Sequence, residues 1–243
     1  MFHRLNSQPS LIQFCRLSYT NAAGSLRQTR RKRSIPIGAK LKMMPDTQSL
    51  IAELDSNLSN ASSARHSAAL RRLTDLFVAS AETYSDDHVA VFDEVIGYLV
   101  AKSERPALIE LSARLAPVDS PPMNVINRLA SNDDIEIAGP LLCTSGVLAD
   151  EVLLDVAKAK GQRHLAAIAS RATISNSVTD VLVDRCGPDI IRKMVANEGA
   201  LFSDVGFVKL INKAKEDKSL AAAIANRSDL PAELQPFLSL ALA

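Results

Sequence analysis

Arg171, Asn197, Asn226 and Arg227 fall between apolar runs at related positions, and they are the first side chains in this 243-residue chain whose types could do chemistry. A guanidinium presents a planar fork that matches a carboxylate or phosphate, so arginines at a repeated loop position could recognise an anion or an acidic partner. The competing role is structural: such polar ends cap helix carbonyls and pair with Asp180, Asp184 or Asp229. These four residues form the candidate partner-binding set. His164 follows Arg163 at the start of a short helix beside Leu165, where a surface or capping role competes with that of a general base. His66 and His88 fall among charges on long helices and read as solvated. Cys186, next to Gly187-Pro188, is expected to be partly exposed; with His164 it would suit a hydrolase only if a pocket gathered them. Asp86-Asp87 and Asp133-Asp134 each precede an apolar periodic run, which explains them as helix caps rather than metal ligands. No phosphate loop, nucleophile elbow or zinc spacing is present, so no catalytic residue, metal site or cofactor is expected.

The elements that carry these residues repeat. Ile168-Ala169-Ser170-Arg171-Ala172-Thr173-Ile174-Ser175-Asn176-Ser177-Val178 has a copy upstream in Leu142–Val152 and another in Ile224–Leu234, with Val195–Asp204 fitting after one insertion. The period is 26 to 29 residues. Such a period marks stacked units, each too small to bury its apolar face alone. Within one unit, Ser175 is expected to cap a helix through Val178, Val181, Leu182 and Val183 that stops at Gly187-Pro188. A shorter helix through Ile190, Ile191, Met194 and Val195 follows, and Ser203-Asp204 opens the next unit. Pro231 suits the first turn of the last helix. The recurring Ala169, Ala196 and Ala225 predict close helix approach.

Upstream, periodicity predicts helices over Thr47–Ser59, over Ser62–Ala81 with Leu70, Leu73, Leu76 and Phe77 inward, from Ser85 through Leu99, and over Pro106–Leu115. Met123–Ala130, a helix opened by Asp133-Asp134, Glu151–Lys160 and Arg163–Ala169 come next. The fold class is all-α, a short α-solenoid of helical hairpins behind an N-terminal helical cap. Its parts are a basic segment over 1–43, the cap over 44–121 and the repeats over 122–243, with 44–243 continuous. The last turn from Phe237 is apolar; Leu238, Leu240 and Leu242 need cover from the array, a partner or a second protomer, which makes a homodimer through this helix an option.

Charge divides the chain. Residues 1–42 carry nine Lys or Arg and no acid, leaving 19 basic against 27 acidic residues, formally −8, for the remainder. That segment reads as a transit-like leader, a nucleic-acid or membrane tail, or an overlong start ahead of Met43-Met44. The acidic body does not favour nucleic acid, and aromatics at 4% with no Trp supply few base-stacking platforms. Cys143 matches Ala169 in the repeat and reads as a small core residue. Cysteines without a disulfide framework fit a cytoplasmic protein, and no apolar run is long enough to cross a membrane.

Ile109-Glu110-Leu111-Ser112-Ala113-Arg114-Leu115-Ala116-Pro117, Val178-Thr179-Asp180-Val181-Leu182-Val183-Asp184-Arg185, Ala196-Asn197-Glu198-Gly199-Ala200 with Phe202-Ser203, and Arg227-Ser228-Asp229-Leu230-Pro231 together give the stretch from about Asp93 to Leu234 a resemblance. It resembles the bacterial domain of unknown function 2336 family. The resemblance implies an α-helical, HEAT-like repeat fold and no activity. The expected function is a non-catalytic scaffold or adaptor that binds a protein or peptide on its repeat surface. The alternative is a nucleic-acid-binding repeat protein, such as a base-repair enzyme, supported by the basic segment and the repeated Arg.

Overall fold

The computed structural model describes residues 62–242. The basic segment 1–43, with Cys15, and the helix expected over Thr47–Ser59 lie outside the described residues. Helices account for the regular structure among those described: α1 Ser63–Ser80, α2 Asp86–Val100, α3 Arg105–Leu115, α4 Met123–Ala130, α5 Ile135–Thr144, α6 Asp150–Ala159, α7 Gln162–Ala169, α8 Asn176–Arg185, α9 Pro188–Val195, α10 Asp204–Ala214, α11 Lys218–Ala225 and α12 Gln235–Leu242. The all-α expectation holds, and a lone parallel bridge between Ile174 and Ala200 is the extended pairing seen among the described residues. The chain divides into two compact units at Ala107/Leu108.

In the first unit, α1 packs on α2. Ser85 caps α2 in a capping box with His88, as its place before two acids predicts. Leu70 and Phe77 of α1 are buried, as are Val95, Ile96 and Leu99 of α2. Phe77 meets Phe92 edge-on, with ring centroids 5.0 Å apart, and stacks on Tyr84. Leu76, placed on the inner face by periodicity, is exposed instead. His66 is also buried rather than solvated: its Nδ1 lies 3.2 Å from the Ser62 carbonyl oxygen.

In the second unit the helices form two rows. Helices α4, α6, α8, α10 and α12 each touch the next of their row, as do α5, α7, α9 and α11, and the rows pack on each other. The sequence pattern explains why. Ile126 and Leu129 of α4, Leu153 and Val156 of α6, Val178 and Leu182 of α8, and Phe207 and Leu210 of α10 recur three to four residues apart and are buried. Each helix is too short to be stable alone, so this packing supplies most of its stability.

Local signals set the helix ends. Asp134, Ser203 and Asp217 accept N-terminal amides at the starts of α5, α10 and α11. Pro188 takes the first turn of α9. Ser175 occupies the cap position of α8, but its hydroxyl contacts Ser177 Oγ instead of an amide. Pro231 precedes a 3-10 turn, Ala232–Leu234, ahead of α12, not the first turn of α12 itself. Of the recurring alanines only Ala169 is buried; Ala196 and Ala225 are exposed, so close helix approach does not explain them. In α12, Leu238 is covered by the fold whereas Phe237 and Leu240 remain exposed. No helix among the described residues is long and apolar enough to cross a membrane.

Candidate functional site

The repeated arginines meet backbone. Arg171, just past the end of α7, donates from Nη1 to the Leu142 carbonyl at 2.9 Å and from Nη2 to that of Ser145 at 2.8 Å. Arg227, just past α11, donates from Nη1 to Val195 and Asn197 at 2.9 Å each and from Nη2 to Ala200 at 2.8 Å. Leu142 and Val195 hold the same register in the repeat. The last carbonyls of a helix lack intrahelical donors and carry the negative end of its dipole, so a cation supplied by the next unit satisfies both needs. Asn197 performs a related task between the two arginines: its Nδ2 donates to the Arg171 carbonyl at 2.8 Å while its Oδ1 accepts from Gly199 N. Asn226 ends α11 with its side chain exposed.

These contacts belong to a ladder inside the second unit, in which one helical pair grips the pair before it. Ile174 N donates to the Gly199 carbonyl at 3.0 Å, and Leu201 N returns a bond to Ile174 O at 2.9 Å. Gly199 is required there, because a β-carbon would lie 2.0 Å from Ala172 O. On the helices, Lys160 pairs with Asp133, Arg163 with Glu136 at 3.0 Å, Lys209 with Asp184 at 2.7 Å, and Arg192 with Asp217. Hydrogen bonds from the Ser219 hydroxyl and Leu220 amide, joined by Arg192, hold the Asp217 carboxyl at about 2. Asp133, expected as a cap, pairs with Lys160, whose ammonium lowers its pKa; Asp134 is the cap.

The two arginines differ in one respect. Asp229 grips Arg227, its two oxygens each 2.7 Å from Nε and Nη2, and the Phe202 ring lies 4.8 Å away on the guanidinium face. All five Arg227 N–H groups are then engaged. Arg171 has Thr173 in the register of Asp229, and its Nε is buried with no partner. Burial, acting against the charged form, lowers the Arg171 pKa, while the field of Asp150 partly opposes it.

The residues weighed for catalysis are placed differently from expectation. His164 is buried, its Nε2 3.0 Å from the Asn132 carbonyl oxygen, rather than at a helix surface. Cys186 is buried as well, and burial pushes its thiol up to about 11. It therefore lacks the thiolate character a nucleophile needs. Cys143 is buried, in keeping with its match to Ala169, but it is disulfide-bonded, against the expectation of cysteines without a disulfide. Among the described residues no group of acidic, His and Cys side chains could hold a metal ion.

One surface feature escaped the motif reading. Leu201, Val205 and Val208 are 57%, 61% and 44% exposed, at and just ahead of the first turns of α10. The only sequence signal for it is that Val205 and Val208 replace Ser177 and Asp180 of the preceding unit.

No curated protein and no solved structure matches this chain. Residues 137–237, from within α5 to within α12, match the model of the family described as an uncharacterised protein conserved in bacteria (DUF2336).

Proposed function

We propose that the protein is a non-catalytic scaffold or adaptor, a short solenoid of HEAT-like helical hairpins that binds a protein or peptide partner in the cytoplasm. The observation that carries this reading is the exposed apolar group of Leu201, Val205 and Val208. Apolar side chains gathered on a surface lose hydration cost when a partner covers them, and partner-binding faces are enriched in such groups. Of the residues expected to bind a partner, Arg171 lies three residues before Ile174, whose carbonyl accepts from the Leu201 amide at 2.9 Å, and Arg227 lies over the ring of Phe202, next to Leu201 in the chain. The side chains with chemical potential support the reading further: Arg171, Arg227, His164 and Cys186 are engaged in or buried by the helical array.

The test is affinity capture by the full chain from lysate of its own host, in parallel with the double variant Val205→Glu/Val208→Glu. Both positions are exposed, so the melting temperature should change by less than about 3 °C. A stoichiometric protein present with the natural chain and absent with the variant is the expected result. Equal recovery with both would move the interaction off this surface. Recovery of nucleic acid in place of protein would favour the second reading, a nucleic-acid-binding repeat protein, whose support is the nine basic residues of 1–42.

A further inference from the structure

The two repeated arginines form an internal comparison. Each donates from Nη1 to the same register position of the preceding unit, Leu142 for Arg171 and Val195 for Arg227. Each uses Nη2 on a second carbonyl of that unit, Ser145 or Ala200. They differ at the remaining edge of the fork, where Arg227 holds the Asp229 carboxylate through Nε and Nη2. At Arg171 the register of Asp229 is taken by Thr173, which is exposed, and Nε is left without an acceptor. Arg171 is only 8% exposed, so water does not make good the loss. Beside it, the Ser145 hydroxyl is likewise buried without a partner. The carboxylate whose field reaches Arg171, Asp150, accepts from Ser177 Oγ at 3.5 Å and makes no hydrogen bond to the guanidinium.

We propose that the Arg171 corner is a binding site for a carboxylate supplied by an acidic side chain of the partner, taken on the Nε edge of Arg171 in the place that Asp229 fills at Arg227. The ligand class follows from the molecule itself: the same fork, anchored to the same backbone register, is completed by a carboxylate one pair of units further on. Ala172 and Thr173, the two residues after Arg171, are both exposed, and a β-carbon on Gly146, next to Ser145, would meet nothing within 4 Å. The corner adjoins the apolar surface, because Leu201 N and Ile174 O are bonded three residues beyond Arg171. An acidic residue beside apolar ones is therefore the recognition element that fits. This inference rests on the partner-binding reading and adds its chemistry.

The test uses the full chain, first with sodium formate as the probe. Thermal unfolding is followed across a formate series and, at matched ionic strength, across a sodium chloride series. Formate should raise the melting temperature saturably above chloride. Thr173→Asp, which supplies the carboxylate from within the chain, should melt higher in chloride and show no formate increment, whereas Thr173→Ala should keep the increment. The absence of a formate-specific rise in the natural chain, or an equal rise in Thr173→Asp, overturns the proposal. If Thr173→Asp does not fold, loss of the increment in Arg171→Lys, which lacks the Nε edge, replaces it, and retention there overturns the site. A second arm compares N-acetylaspartate amide with N-acetylasparagine amide. Stabilisation by the aspartate compound alone is expected; a response to formate but not to blocked aspartate would overturn the side-chain source. Neither arm depends on the capture experiment, so a failed partner search and a failed carboxylate site are told apart.

Discussion

At the scale of single residues, the chain spends its reactive groups on packing. Cys186 is the clearest case. Its place beside Gly187-Pro188 suggested a half-open helix end, but the thiol is buried and its pKa is raised to about 11 by desolvation. At pH 8 only about one molecule in a thousand would then carry the thiolate, against about one in four for an ordinary cysteine. Native protein treated with iodoacetamide at pH 8 should therefore be labelled at Cys186 at least about tenfold more slowly than protein in urea, with peptides resolved by mass spectrometry. Equal labelling would show an open thiol and restore Cys186 as a candidate nucleophile. His164 follows the same logic. Its Arg163-His164 context reads as surface because Arg163 is exposed, but the imidazole reaches back to the Asn132 carbonyl of the preceding unit. That partner is 32 residues away, and no local pattern announces it.

At the scale of elements, the loops between units are as constrained as the helices. Gly199 brings its backbone so close to Ala172 that any side chain collides with a carbonyl oxygen, which cannot move without dragging Arg171 and Ile174 along. Gly199→Ala should lower stability by about 2 kcal/mol or more, read as the shift of the urea midpoint at constant slope. A change under about 0.5 kcal/mol would mean that the two loops part at little cost. Much of this layer is legible in sequence. Met123–Ala130 is a helix between the expected ends, and Asp134 and Ser203 cap the helices they precede, because caps and apolar periodicity are local properties. The capping duty of Arg171 and Arg227 was also foreseeable, since cations favour helix C-terminal ends. Their acceptors were not, because these lie a whole unit upstream. Leu76 shows the opposite failure: it has the correct spacing for the inner face of α1, yet it is exposed. Periodicity gives a stripe about one face, and the neighbouring element decides which edge of the stripe is covered.

For the second unit as a whole, the separation of bonded partners is the governing fact. Asp133 and Lys160 are 27 residues apart, as are Glu136 and Arg163; Arg171 and Ser145 are 26 apart, Asn197 and Arg171 again 26, and Arg227 and Ala200 27. These polar contacts thus join each helical pair of this unit to the pair before it, and on the proposed solenoid reading stability is a sum of pair and interface terms. Arg227 concentrates several of those bonds in one side chain: three carbonyls of the preceding unit depend on it, and Asp229 depends on it for charge. Its removal should therefore act locally. In Arg227→Ala, amide hydrogen exchange should quicken by about tenfold or more in α11 and α12, which follow the broken interface, while α4 to α7 keep their protection. If every helix from α4 to α12 lost protection by the same factor, the unit would be opening as one cooperative block. In that event the nearest-neighbour account of its stability would be wrong, even though every contact in the ladder is present.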